Sequence, residues 1–255
     1  MKMNERNNPV RRSSERPQDS AKTIGAEMSF AAKEAYKLLR TNLSYILAEN
    51  EGSHCKIIGV TSSLRGEGKS TTSINLAYVL AEMNRKVLLI EGDLRIPSLH
   101  KKLRRPPKQG LSNVLAGKTS FEACCQSIES RIGKKEAVRF DVLLAGDIPP
   151  NPSELIGSGR MKTLVSRLAE RYDYIVLDLP PVTAVTDTLV ASKIVDGLIV
   201  VVRNNYADRG SLNETLRQIQ LVNGRILGFV MTCGNPAGAG YGKKYRYKYY
   251  KKDYR

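Results

Sequence analysis

The sequence predicts an α/β fold in which a mostly parallel central sheet is flanked by helices on both faces. Short runs of β-branched residues and leucine alternate along the chain with segments of helical apolar spacing. Each run is continuously apolar, which is typical of parallel strands buried on both faces. At 255 residues and 41% apolar content, the chain can bury one good core, so we expect one α/β domain. The predicted strands are KIIGV at 56–60, KVLLI at 86–90, FDVLLA at 140–145, YDYIVLD at 172–178, GLIVVV at 197–202 and ILGFVM at 226–231.

A phosphate-binding loop follows the first predicted strand, within VTSSLRGEGKSTTSINLAYVLAEM at 60–83. The pattern GxxxxGK[ST] is met at its functional end, while Ser63 occupies its first glycine position. Lysine in this motif reaches the β- and γ-phosphates and serine ligates magnesium, so the pattern predicts a P-loop NTPase fold with ATP and Mg²⁺. The alternative is a glycine-rich turn that happens to contain Lys-Ser. The predicted ATP-binding residues are Gly66, Glu67, Gly68, Lys69, Ser70 and Thr71, and the helix that follows is marked by Leu76, Val79, Leu80 and Met83.

Three acidic residues stand at the carboxyl ends of predicted strands. Glu91 and Asp93 follow the second strand in VLLIEGDLR, and Asp178 ends YDYIVLD. Strand ends of this kind meet at the crevice where α/β proteins bind ligands. We therefore expect a magnesium site formed by Ser70, Asp93 and Asp178. Taken singly, each acid could equally be a solvated loop residue or a helix cap.

The last fifteen residues, YGKKYRYKYYKKDYR at 241–255, contain six of the twelve tyrosines, seven basic residues and one acid. The formal net charge of the whole chain is +16. A basic segment with interleaved aromatic residues could bind nucleic acid or anionic lipid, or could simply be a solvated terminus. Composition alone favours the solvated reading.

Residues 1–25 are predicted to be a flexible basic leader, because they lack the apolar core of a signal peptide. The longest apolar run, Leu198 to Val202, is too short to cross a bilayer. The four cysteines show no CxxC spacing and indicate a reduced interior. These features predict a cytoplasmic protein.

Five segments together resemble the cytoplasmic bacterial tyrosine kinases, or BY-kinases, of capsule and exopolysaccharide synthesis. The resemblance runs from about residue 30 to the last residue and implies a P-loop kinase domain at 26–238 and a disordered tyrosine cluster at 239–255. The segments that carry it are GEGKST at 66–71, LLIEGDLRIPSLH at 88–100, LLAGDIPPNPSELIGSGRM at 143–161, YDYIVLDLPPV at 172–182 and the terminal tyrosines.

The resemblance implies a catalytic set and a substrate. Its Walker A lysine is Lys69, its second acidic motif is Glu91, Asp93 and Arg95, and its Walker B aspartate is Asp178. Asp93 is expected to be the base for the tyrosine hydroxyl, and Arg95 either steadies phosphate charge or forms a structural salt bridge. The family phosphorylates its terminal tyrosines in trans, here Tyr241, Tyr245, Tyr247, Tyr249, Tyr250 and Tyr254.

Assembly and partners are also implied by the family. Its E-x-x-R-x-x-R motif, which closes a ring-like homo-oligomer, falls on Glu34, Lys37 and Arg40, with lysine in place of the first arginine. The alternative is a set of solvated charges on an amphipathic helix with Leu39, Leu43, Ile46 and Leu47 as its apolar stripe. The split form of these systems implies a transmembrane activator related to polysaccharide chain-length regulators, which recruits the kinase to the inner face of the membrane. A phosphotyrosine phosphatase is a further expected partner, and no specific nucleic acid is expected.

The sequence departs from the family at Arg65, usually proline, at Glu91, usually aspartate, and at Thr232, often asparagine. The nearest rival reading is a deviant-Walker A switch ATPase of the cell-division or partitioning type, without kinase activity. Its signature lysine would stand at Leu64, which counts against it. A nucleic-acid or anionic-lipid binding module ranks last, because it leaves the P-loop unexplained.

Overall fold

The protein is described by a computed structural model that covers residues 24–48, 55–106, 108–130 and 137–234. The leader predicted at 1–25 lies outside these residues except for its last two positions, and so does the tyrosine cluster. No helix among the described residues is long and apolar enough to cross a membrane.

A seven-stranded sheet forms the centre of the fold, with the order β3-β4-β2-β5-β1-β6-β7. All neighbours pair in parallel except β3, which runs antiparallel to β4 at one edge. This arrangement confirms the predicted mostly parallel sheet. The strands are β1 (Lys56–Ser62), β2 (Val87–Glu91), β3 (Gln126–Ser130), β4 (Val138–Leu143), β5 (Tyr174–Asp178), β6 (Gly197–Arg203) and β7 (Ile226–Thr232).

Helices cover both faces of the sheet, as the continuous apolar runs predict. Alternate residues of one strand enter opposite cores: Leu88 lies in one apolar cluster and Leu89 in the other. The helices are α1 (Phe30–Ile46), α2 (Lys69–Ala81), α3 (Leu99–Lys102), α4 (Leu111–Leu115), α5 (Phe121–Cys124), α6 (Pro152–Ile156), α7 (Gly159–Ala169), α8 (Asp187–Ala191) and α9 (Arg209–Leu221), after a 3₁₀ turn at Gly25–Glu27.

Helix α2 is buried on nearly every side, because it packs between the sheet and α1. The predicted apolar stripe of α1 faces it, with Leu43 and Leu47 fully enclosed. The spacing of apolar residues predicts a helix that reaches Met83, whereas α2 ends at Ala81 and Met83 is exposed. A buried helix needs no amphipathic stripe, so the spacing of apolar residues could not mark its end.

Strand register aligns the ends that carry the functional residues. Asp178 is the partner of Val60 in β1 and of Glu91 in β2. The carboxyl ends of three adjacent parallel strands therefore meet at the amino terminus of α2, where the P-loop lies.

Candidate active site

The P-loop connects β1 to α2, and two of its glycines adopt left-handed backbone conformations. Gly66 and Gly68 have φ angles of +88° and +99°, a left-handed region that residues with a Cβ rarely adopt. A Cβ on Gly68 would lie 3.2 Å from Cγ2 of Thr232. The loop therefore presents backbone N–H groups and the start of α2 to an anion, as phosphate-binding loops do.

Glu67 holds this loop in shape from the inside. Its carboxylate is fully buried and accepts the backbone N–H of Leu64 at 2.6 Å and that of Arg203 at 3.3 Å. Its carbonyl oxygen accepts the hydroxyl of Thr232 at 2.7 Å. Glu67 thus connects the P-loop to the ends of β6 and β7, a role that its place between two glycines did not reveal.

We expect Glu67→Ala to destabilise the protein by about 1–2 kcal/mol, because the partly buried N–H groups of Leu64 and Arg203 would lose this acceptor. Glu67→Gln keeps one acceptor oxygen and should cost less. Denaturant unfolding of the wild-type protein and both variants gives this order. Equal stability of all three would show that the loop does not depend on this carboxylate.

Two residues at and just after the end of β6 bind backbone carbonyl groups of the P-loop. Arg203 donates from its guanidinium to the carbonyl of Gly66 at 3.3 Å, and Tyr206 donates its hydroxyl to the carbonyl of Arg65 at 3.0 Å. The guanidinium also stacks on the Tyr206 ring, 5.3 Å from its centroid. Arg65, where relatives have proline, is therefore held through its backbone.

Four predicted site residues meet at the mouth of the P-loop. The ammonium group of Lys69 lies 3.0 Å from Oδ2 of Asp93, and both side chains are about nine-tenths buried. Oδ1 of Asp178 accepts the hydroxyl of Ser73 at 3.1 Å. The hydroxyl of Ser98 donates to Ser70 at 3.1 Å.

Asp178 carries the strongest sign of a ligand site. Burial raises the pKa of its carboxyl from 3.8 to about 6, although Lys69 and the serine hydroxyls act to lower that pKa. Its Oδ2 atom is buried and has no hydrogen-bond partner among the described residues. A buried carboxylate oxygen without a partner is costly unless a ligand binds it.

The donor set fits magnesium. Ser70, Asp93 and Asp178 offer hard oxygen ligands, which this ion prefers. In the described ranges no cluster of three or more His, Cys, Asp or Glu side chains could hold a metal on its own. Magnesium sites that also bind substrate phosphates and water take one or two carboxylates from the protein, and those of P-loop NTPases add a serine or threonine hydroxyl.

Glu91 faces away from this cluster into the loop that follows β2. Oε1 accepts the N–H groups of Ser98 and Leu99 at 2.6 Å each, and Oε2 accepts that of Ala145 at 3.1 Å. Burial raises the pKa of its carboxyl, against the lowering effect of these three bonds. The longer side chain thus fixes the segment that carries Asp93 and Ser98.

Arg95 forms an ion pair with a buried carboxylate. Its guanidinium donates to both carboxylate oxygens of Asp187, at 2.9 and 3.1 Å, and to the hydroxyl of Ser153 at 3.1 Å. The Asp187 side chain is fully buried and also accepts the Ser153 hydroxyl. This hydrogen bonding raises the pKa of Arg95. The contacts are those of the salt-bridge alternative.

The three residues predicted for oligomerisation lie on α1. Lys37 pairs with Glu34 of its own helix at 2.7 Å, and both side chains are partly exposed. Arg40 donates to the carbonyl of Val79 in α2 at 2.5 Å, which ties the two helices together. Glu34 and Lys37 remain accessible to another subunit.

Several residues near the site were missed from the sequence. Ser73, Ser98, Lys102 and Asp187 reach it through tertiary contacts, and only Ser73 and Ser98 belong to the sequence segments that predicted the site. Ser73 lies one helical turn after Lys69, a spacing that could have placed it on the same face of α2.

The strand order, the P-loop and the acidic strand ends define a P-loop NTPase fold. Residues 55–227 match the family described as an AAA domain. The tyrosine-protein kinase YwqD of Bacillus subtilis is 33% identical over 217 residues, which cover 85% of each chain. The tyrosine-protein kinase wzc of Salmonella typhi is 31% identical over 88% of this chain, which spans 29% of that protein.

The chain belongs to the bacterial tyrosine kinases of the P-loop type. The crystal structure of the chimerical protein CapA2B2 superposes with a TM-score of 0.72 at 30% identity and covers 83% of this chain and 89% of its own. The kinase domain of the Escherichia coli tyrosine kinase ETK gives 0.70 at 31%, with 83% and 80% covered. The predicted family, fold and enzyme class are therefore confirmed.

Proposed function

We propose that this kinase binds ATP with Mg²⁺ and transfers the γ-phosphoryl group to tyrosines of its C-terminal cluster, in trans, and so regulates capsule or exopolysaccharide synthesis. The observation that carries the proposal is the juxtaposition of Lys69, Asp93, Ser70 and the unpartnered Asp178 oxygen at the P-loop. The family to which the chain belongs supports tyrosine as the acceptor.

Magnesium would be held by Ser70, Asp178 and Asp93 together with the nucleotide phosphates. When bound, it neutralises charge on the β- and γ-phosphates. Lys69 supplies a second positive charge, and its contact with Asp93 already positions the ammonium group at the loop. The open N–H groups of the glycine loop bind the remaining phosphate oxygens.

The acceptor tyrosine needs help with its proton, because a phenol of pKa near 10 is a weak nucleophile at neutral pH. Asp93 is the base that the site offers for this proton. The phenol oxygen bonds to the γ-phosphorus, the bond from that phosphorus to the β-γ bridging oxygen breaks, ADP leaves, and the phenol proton passes to the carboxylate. Glu91 acts by fixing the segment that carries Asp93.

The tyrosine cluster lies outside the described residues, and its role rests on sequence. Tyr241, Tyr245, Tyr247, Tyr249, Tyr250 and Tyr254 are the proposed acceptors. The segment from 241 carries seven basic residues and one acid, so several phosphates of up to two charges each would reverse its net charge. A ring-like oligomer joined through α1 would bring one subunit's cluster to the next subunit's P-loop.

We further propose two partners on the same grounds. A transmembrane activator related to chain-length regulators would recruit the kinase to the inner membrane face and stimulate it. A phosphotyrosine phosphatase would remove the phosphates from the tyrosine cluster.

We also propose the domain organisation that the resemblance implies. The kinase domain would span residues 26–238, with the leader before it and the cluster after it.

The test is the intact mass and peptide map after incubation with Mg-ATP and an activator segment. We expect phosphates on the 241–255 peptide in the wild type and in the exposed-lysine control Lys118→Ala, and none in Lys69→Ala. ATP consumption without a mass gain would contradict the proposal and favour a switch ATPase.

Transfer in trans is tested by mixing two variants. One is Lys69→Ala with its tyrosines intact, and the other has all six cluster tyrosines replaced by phenylalanine but an intact P-loop. Phosphate should accumulate on the Lys69→Ala chain only in the mixture. No phosphate there, when the wild type labels itself, would indicate transfer within one chain.

A further inference from the structure

A second lysine lies at the P-loop and is unused by the chemistry above. Helix α3 follows the segment fixed by Glu91, and its last residue is Lys102. The ammonium group of Lys102 donates to the hydroxyl oxygen of Thr71 at 3.2 Å. Thr71 is the residue that follows Ser70 at the start of α2, within the predicted ATP-binding set.

The charge of Lys102 is poorly compensated by its surroundings. Lys69 is paired with Asp93 and Arg95 with Asp187, but Lys102 forms no salt bridge with any carboxylate of the described residues. Its side chain is partly buried, and burial lowers its pKa, as does the charge of Lys69, while Asp178 acts in the opposite direction. A neutral hydroxyl is a weak counterpart for a partly buried cation.

The location favours a phosphate as the missing counterpart. The group stands beside the amino terminus of α2, which itself attracts anions. Thr71 keeps its own hydroxyl hydrogen while it accepts from Lys102, so both residues can donate to the same phosphate oxygen. Arg95, the other cation that the sequence suggested for phosphate charge, is held by Asp187 and Ser153.

We propose that Lys102 is a second phosphate-binding cation of the nucleotide site, which binds the phosphate chain of a nucleoside di- or triphosphate together with Thr71. The inference rests on the proposed function, since it requires a nucleotide in the P-loop. The proposal gives α3 a direct role in nucleotide binding through its last residue.

The experiment measures Mg-ATP and Mg-ADP dissociation constants by calorimetry, together with the unfolding temperature. Lys102→Gln is compared with Lys102→Arg, which keeps the charge, with the exposed neighbour Lys101→Gln and with Lys69→Ala. We expect Lys102→Gln to weaken nucleotide binding by about tenfold, the effect of one charge-assisted hydrogen bond. Lys102→Arg should recover most of the affinity, and Lys101→Gln should match the wild type.

The unfolding temperature separates binding from structure. Removal of a poorly compensated, partly buried charge should leave the stability of the nucleotide-free protein unchanged or raised. Lower stability of Lys102→Gln with unchanged nucleotide affinity would overturn the proposal and make the Thr71 contact structural. If the wild type and Lys69→Ala both fail to bind nucleotide, the proposed function fails first, and this result is distinguishable from a defect confined to Lys102.

Discussion

Replacement of Asp178 with asparagine should stabilise the nucleotide-free protein and abolish phosphoryl transfer. The carboxylate is fully buried, its Oδ2 has no partner among the described residues, and its pKa is raised from 3.8 to about 6. The folded state therefore holds the charged form at a cost of up to about 3 kcal/mol above pH 6. Asparagine removes that charge but leaves a buried amide N–H₂ poorly paired, so we expect a net gain of about 1–2 kcal/mol at pH 8.

The stability gained by Asp178→Asn should depend on pH. A carboxyl whose folded pKa is raised favours folding at low pH, and this contribution is lost as the pH rises from about 4 to about 6. The advantage of Asp178→Asn should thus change little between pH 8 and pH 6 and fall mainly between pH 6 and pH 4. Near pH 4 the variant should be the less stable protein, because the cost of its poorly paired amide remains. Denaturant unfolding at these pH values, with exposed Glu170→Gln as the control, measures it. A variant that is less stable at pH 8 would contradict the idea that the buried charge is held for a ligand.

The same variant should lose phosphoryl transfer by a factor of about 10² or more, because magnesium loses a charged ligand while the fold remains intact. Peptide mapping of residues 241–255 with Mg-ATP measures this loss. Transfer at the wild-type rate would remove Asp178 from the proposed magnesium site.

Much of the fold could be predicted because each buried parallel strand is a continuous run of apolar residues in the sequence. All six predicted strands are present, and the P-loop helix begins at Lys69. Strand β3 was missed because its sequence, QSIES, has neither an apolar run nor a strong alternation. It lies at a sheet edge and pairs on one side only, so little of it needs to be apolar.

The site was predictable as far as its residues adjoin strand ends and the P-loop. Lys69, Ser70, Asp93 and Asp178 converge because parallel strands place their carboxyl ends together. Roles that depend on distant partners were not predictable. The sequence could not tell that Glu67 turns inward to Arg203, or that Arg95 finds an aspartate 92 positions away.

Arg95→Ala should destabilise the protein by about 3 kcal/mol, because it leaves the fully buried carboxylate of Asp187 without its cation. The reverse change, Asp187→Ala, should cost less, because Arg95 is partly exposed and its guanidinium can turn to water. In the double variant the two losses should not add, since both remove the same ion pair. Denaturant unfolding of the four proteins completes this cycle.

Activity distinguishes the two roles that the sequence left open for Arg95. If its guanidinium serves only the ion pair with Asp187, Arg95→Ala and Asp187→Ala should impair phosphoryl transfer to a similar extent at a temperature where both are folded. Arg95→Lys should be intermediate in stability, because lysine cannot bind both carboxylate oxygens in a fork. A loss of transfer in Arg95→Ala that far exceeds the loss in Asp187→Ala, with little change in unfolding free energy, would instead assign the guanidinium to the phosphates. In that case the ion pair with Asp187 would be the nucleotide-free position of Arg95, and the guanidinium would move to the phosphates when nucleotide binds.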